Sequence, residues 1–154
     1  MAGFEDIRRG LAANLAVLAD DFQVFPYLLD SPTPPALQIA GIKEIEYDIE
    51  FQGANGYQAT GDQITVVIEA CLHREPDVST QKTLDALHAA DGLKHAVEAD
   101  DRLTSRMNDD QTVDISQPPA CDALRVTKYN GSAPLTLRDG TEVLLATWDV
   151  EVLT

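Results

Sequence analysis

The sequence predicts an α+β domain: a mainly antiparallel sheet with helices packed on one face. Three observations carry that expectation. Arg138-Asp139-Gly140-Thr141 reads as a two-residue hairpin turn, because Asp-Gly tolerates the positive φ angles such a turn needs. After it, Leu144, Ala146, Trp148, Val150 and Val152 fall on one side and Thr147, Asp149 and Glu151 on the other, the period-2 pattern of a half-buried strand. Finally, the elements arrive as α-β-β-β-β-α-α-β-β. Strands in runs, rather than strict β-α alternation, point to α+β and not to a parallel sheet. With 154 residues, one domain over residues 1–154 is expected, large enough for an ordinary core.

Phe4, Ile7, Leu11, Leu15 and Leu18 recur at helical spacing and predict an amphipathic helix over about residues 4–19, modestly weakened by Gly10. Phe22 to Phe25 is a short strand stopped by Pro26, and Asp30-Ser31-Pro32-Thr33-Pro34-Pro35 is a rigid connector. Ala36 to Ala40 forms a further short strand. Next, Ile45, Tyr47, Ile49 and Phe51 alternate with Glu44, Glu46, Asp48 and Glu50, giving a separate strand with one acidic face. A glycine-rich loop over 51–62 leads to the strongest central strand, Gln63 to His73, whose Ile64, Val66, Ile68, Ala70 and Leu72 face is wholly apolar. A helix over about 80–90 starts from Asp77 or Ser79 as a cap and stops at Gly92, and a shorter one runs from Leu93 to Asp100. Residues 104–120 are polar and form a long loop or weak hairpin; loops of that length in compact domains tend to be functional or disordered. Strand character resumes at Ala123 to Tyr129 before the final hairpin.

The formal net charge is −15, from 26 acidic and 11 basic residues, and 44% of the chain is apolar. The chain should therefore fold, and it lacks the basic footprint of a nucleic-acid or acidic-membrane binder. The acidity fits a solvated surface, a site for basic partners, or a wall that repels DNA. No apolar run approaches the length of a membrane-spanning helix, and the first residues lack the pattern of a signal peptide. Cys71 and Cys121 are then expected as free thiols.

Residue types that carry chemistry are scattered. Cys71, His73, His88, His95 and Cys121 match no zinc spacing. Cys71 with His73 sits mid-strand, without the helix N-terminus that would lower a thiol pKa. Ser79 reads as a helix cap and lies in no nucleophile elbow. The pairs Asp20-Asp21, Asp100-Asp101 and Asp109-Asp110 diverge on any regular element, and Asn108-Asp109-Asp110 with Asp114 lacks the ligand alternation and glycine of a calcium loop. No phosphate-binding glycine loop is present. No cofactor, metal or enzymatic activity is expected from these residues.

Several segments together resemble a known pattern. They are the Glu5-Asp6-Ile7-Arg8-Arg9-Gly10-Leu11-Ala12-Ala13-Asn14-Leu15 helix, Val24-Phe25-Pro26-Tyr27, the Pro-rich connector and the long central strand. Thr83 to Leu87 follows, then Leu93 to Asp101 with Leu103, Leu124-Arg125-Val126 and Trp148 to Val152. In order, length and short anchors such as Ala96-Val97-Glu98-Ala99-Asp100, almost the whole chain resembles the tail terminator (minor tail) proteins of long-tailed, non-contractile bacteriophages. The 104–120 loop departs from the tighter connector expected there.

That resemblance implies an α+β subunit of a homo-hexameric ring. The ring would cap the tail tube protein, stop its polymerisation and present the face that meets a head–tail connector protein, in the neck of the virion after assembly in the host cytoplasm. It implies no catalysis and carries over no site residue. Six copies would bring a formal −90 (6 × −15) around a channel through which DNA passes without specific binding. Asp109, Asp110 and Asp114 are the candidate lumen-facing acids. Gln52, Asn55, Tyr57, Gln58, Met107, Asn108 and Gln111, in the 51–62 and 104–120 loops, are candidates for contacts with neighbouring subunits or the tube. Removing residues 106–116 is expected to leave the monomer folded and to impair assembly. The alternative is a monomeric or dimeric head–tail connector or adaptor that binds a basic partner through its acidic face.

Overall fold

A computed structural model describes residues 3–52, 58–74 and 78–154. Its elements run α1 (Phe4–Leu15), β1 (Gln23–Phe25), β2 (Ala36–Gln52), β3 (Gln58–His73), α2 (Val78–His88), α3 (Leu93–Glu98), β4 (Arg106–Met107), β5 (Val113–Asp114), β6 (Ala123–Thr136) and β7 (Glu142–Leu153). Five strands form one sheet in the order β1-β2-β3-β7-β6, and β4 with β5 makes a small two-stranded sheet. Only the β1–β2 pair in the large sheet is parallel, so the α+β, mainly antiparallel expectation holds.

The register shows why the sheet has one dry face. Across β3 and β7, Ile64 pairs with Val152, Val66 with Val150, Ile68 with Trp148, Ala70 with Ala146 and Leu72 with Leu144. β2 extends this face with Leu37, Ile39, Ile42 and Ile45, and β6 with Leu124 and Val126. Ile7, Leu11 and Leu15 of α1 and Leu93, Ala96 and Val97 of α3 close over it, forming one core. The opposite face is thin: Ala36, Cys71 and Val143 are buried there, with Phe25, Leu137 and Leu145 against them.

Four expectations need correction. The helix at the start ends at Leu15 and tightens into a 3-10 turn over Ala16–Leu18. Ala36–Gln52 is one strand, not two: irregularities between Ile39 and Gly41, Ile42 and Glu44, and Glu46 and Ile49 reset its alternation without breaking the ladder. Gly92 stands at the N-cap of α3 instead of stopping α2 directly. The last hairpin has a three-residue loop, Arg138-Asp139-Gly140. Leu137 N–H donates to the Thr141 carbonyl, and Gly140, at φ 88°, returns its N–H to the Leu137 carbonyl. The expected cap at Asp77 lies outside the described residues, as does the Ser79 side chain.

Candidate functional site

The 104–120 segment, expected as a long loop or weak hairpin and as an interface candidate, contains the short β4–β5 hairpin and is bound to the body of the domain. α3 ends at a turn organised by Asp100, whose carboxylate accepts the N–H groups of Arg102 and Thr104 and the Thr104 hydroxyl. Burial raises the cost of that charge, but these hydrogen bonds outweigh it and hold the Asp100 pKa below the usual carboxylate value. The turn sets Leu103 at φ 53° and drives its side chain against Gly10 on α1. Arg106 follows, nearly buried, donating to the carbonyls of Leu103, Ser105 and Pro118, with Asp6 of α1 at 3.5 Å. Its fork supplies donors to the Ser105 and Pro118 carbonyls and a second donor to the Leu103 carbonyl, which also accepts the Ala120 N–H.

Met107 is 1% exposed and belongs to the core, so it is withdrawn as an interface candidate. Because Arg106 and Met107 are interior, removal of 106–116 takes away part of the packed interior and gives no clean test of assembly.

The remaining candidates in this hairpin are largely engaged within the chain. Asn108 donates to the Thr112 hydroxyl, and Gln111, at φ 70°, donates to the Val24 carbonyl on β1. Asp109 accepts from Arg9 at 2.9 Å, and Arg9 also donates to Glu5, the Met107 carbonyl and the Tyr27 hydroxyl while lying over the Tyr27 ring. Asp110 accepts from the N–H and hydroxyl of Thr112 and thereby fixes the turn. Asp114 is exposed on β5. The three candidate acids thus share one small hairpin, but Asp109 faces a cation and Asp110 stabilises a turn.

The 51–62 region is the far end of the β2–β3 hairpin. Gln52 and Gln58 pair through their backbones there, while Asn55 and Tyr57 lie outside the described residues. β3 meets β7 from Gln63 onward, and Asp62 exchanges two backbone bonds with Thr154. Beyond that point, Ile49 to Gln52 and Gln58 to Gly61 pair with each other as a two-stranded arm. At its base, Tyr47 and Asp48 are bulged out of the ladder opposite Asp62. Asp48 adopts φ 55° and its N–H is held by the Asp62 carboxylate. The strand alternation placed Tyr47 with Ile45 on the buried side; the bulge turns it outward, 67% exposed.

A second feature escaped sequence reading altogether. α2, α3 and β6 enclose a groove of about 810 Å³. His88 at the end of α2 meets Tyr129 edge-on at 4.4 Å between ring centres, and both approach Trp148 on the groove floor. Lys94, His95 and Lys128 ring the opening. Glu98 accepts the Val126 N–H and pairs with Lys94, which also reaches the Val126 carbonyl. These contacts cap the edge of β6 at that point and block strand addition there. His88 and His95 stand seven residues apart on two separate helices and Lys128 lies far along the chain, so no single element groups the three.

Neither cysteine is activated. Burial, with a small contribution from Glu69, pushes the Cys71 thiol up to about 11. Burial, with Asp101 and Asp122 nearby, pushes Cys121 up to about 12. Both are free and buried thiols. Among the described residues, no three His, Cys, Asp or Glu side chains converge as a metal site, and no helix is long and apolar enough to cross a membrane. Compared with models of known protein families and with curated proteins, the chain matches none.

Proposed function

We propose that this chain is a structural subunit of the tail terminator type. Six copies form a ring that caps the tail tube of a long-tailed, non-contractile phage, ends tube growth and offers its other face to the head–tail connector protein. In this reading the exposed acids, Asp114 among them, keep passing DNA from adhering to the ring. The observation that carries the proposal is the β2–β3 arm. It extends past the last residue of β7, carries exposed Glu46, Asp48 and Glu50 at its root, and has no covering element among the described residues. A lone two-stranded ribbon is marginally stable in water, so an arm of this kind is suited to packing against another subunit. The same acidic arm also favours the second reading, an adaptor that grips a basic partner without closing a ring.

The test is to add the purified protein to polymerising tail tube subunits. The terminator reading expects shorter tubes, with this protein sedimenting in a fixed ratio to tube ends. Tubes of unchanged length, with no protein bound at their ends, would overturn it.

A further inference from the structure

The arm and the groove are complementary surfaces on one chain that cannot be the same surface. The arm grows from β2 and β3, whereas the groove opens on β6, with β7 between them. Glu44, Glu46, Asp48 and Glu50 are all exposed along seven residues of the arm and its root. The groove has the reverse character. On its lining Lys94 pairs with Glu98, and Lys128 adds a further cation, a local excess of one positive charge in a chain whose total is −15. The apolar parts match as well. The bulge at Tyr47 and Asp48, with Asp48 in the left-handed region, presents the Tyr47 ring to solvent. The groove floor is a cluster of His88, Tyr129 and Trp148 rings. A positive φ on a non-glycine residue costs energy and persists where the surroundings enforce it, here through the Asp62 carboxylate on the Asp48 N–H.

We infer that the groove between α2, α3 and β6 receives the β2–β3 arm of a second copy of this chain. Tyr47 enters against Tyr129 and Trp148, while the arm's carboxylates meet Lys94 and Lys128. Where each copy gives its arm to one neighbour and receives the arm of another, the contact is head-to-tail and propagates around a ring; a two-fold dimer with both arms exchanged, seen as a doubled mass, would overturn the ring closure. Partial neutralisation at each junction offsets the repulsion that six strongly acidic subunits otherwise exert on one another. The inference rests on the ring reading, and it specifies which surfaces join.

The experiment uses two full-length variants, Glu50→Cys on the arm and Ala90→Cys on the groove rim, with a short bifunctional maleimide. Cys71 and Cys121 are buried and stay silent. The 1:1 mixture should give a covalent heterodimer at least ten-fold more abundantly than either variant alone. Lys94→Glu with Lys128→Glu on the groove copy should abolish it, and Glu46→Lys with Asp48→Lys on the arm copy should restore it. Dominant arm-to-arm or groove-to-groove products would overturn the inference. So would the absence of a heterodimer. If light scattering on the same samples shows a ring, only the arm–groove contact fails; if it shows a monomer, the ring reading fails with it.

Discussion

Gly10 and Leu103 touch so closely that a methyl group has no room between them. A β-carbon built on Gly10 would lie 2.8 Å from the Leu103 β-carbon, a distance that carbon atoms do not tolerate. This glycine lies inside α1, where alanine would favour the helix by about 1 kcal/mol. Overpacking against a backbone-proximal atom costs about 1–3 kcal/mol. The Gly10→Ala variant should therefore be less stable than the parent, by about 1 kcal/mol, as read from the midpoint of urea unfolding. A more stable variant would show that the 100–107 turn is free to move off α1.

Arg106 should matter through its carbonyl partners more than through its ion pair. The Arg106→Ala change leaves the Ser105 and Pro118 carbonyls short of a donor, while the Leu103 carbonyl keeps the Ala120 N–H, and should cost about 2–3 kcal/mol. Asp6 is half-exposed and 3.5 Å away, so Asp6→Ala should cost less than about 1 kcal/mol. Paired urea titrations separate the two contributions. Equal losses would mean that the ion pair, and not the fork onto carbonyls, fastens the segment.

Two buried-edge carboxylates make stability depend on pH in opposite senses. Burial opposes the charge of Asp149, but hydrogen bonds from Asn130 and Lys43 prevail and lower its pKa. The unfolded chain therefore binds the proton more readily, so the stability Asp149 supplies is present above about pH 4 and is lost as pH falls through its lower folded value. Glu69 is the reverse case. Burial raises its pKa, so its ionised form is a cost at neutral pH that disappears on acidification. Glu69→Gln should accordingly raise the thermal midpoint at pH 7 and lose that advantage near pH 4. Asp149→Ala should be most damaging at neutral pH.

The thiols give a direct reading of how closed the sheet is. With Cys71 raised to about 11 and Cys121 to about 12, both should resist an aromatic disulfide reagent at pH 8 in the native protein and react fully in denaturant. Rapid native reaction at Cys71 would mean that the thin face of the sheet opens.

β7 and the part of β3 from Gln63 onward were legible because their apolar residues alternate without interruption and pair with each other across the dry face; Gln58 to Asp62, read as loop, extend β3 beyond β7. β2 was not, since each bulge shifts the period and makes one bent strand resemble two short ones; Tyr47 was misplaced for the same reason. The second half of β6, Asn130-Gly131-Ser132-Ala133-Pro134, has poor strand propensity. It is held by its partner β7, a tertiary effect that local pattern cannot report. The 104–120 segment misled through polarity: Arg106 is a charged residue that the fold buries against carbonyls, and Met107 was judged by its polar neighbours. The groove depends on four separate stretches meeting, so only the folded chain displays it.

The measurement that bears most directly on self-assembly is the solution mass, by light scattering across a range of protein and salt concentrations. A ring of six corresponds to about 100 kDa (6 × 16.7 kDa). The account expects that species to grow at the expense of smaller ones as salt screens the acidic subunits from one another. A mass of 16.7 kDa at every protein and salt concentration would contradict the claim that this chain closes a ring through its own contacts.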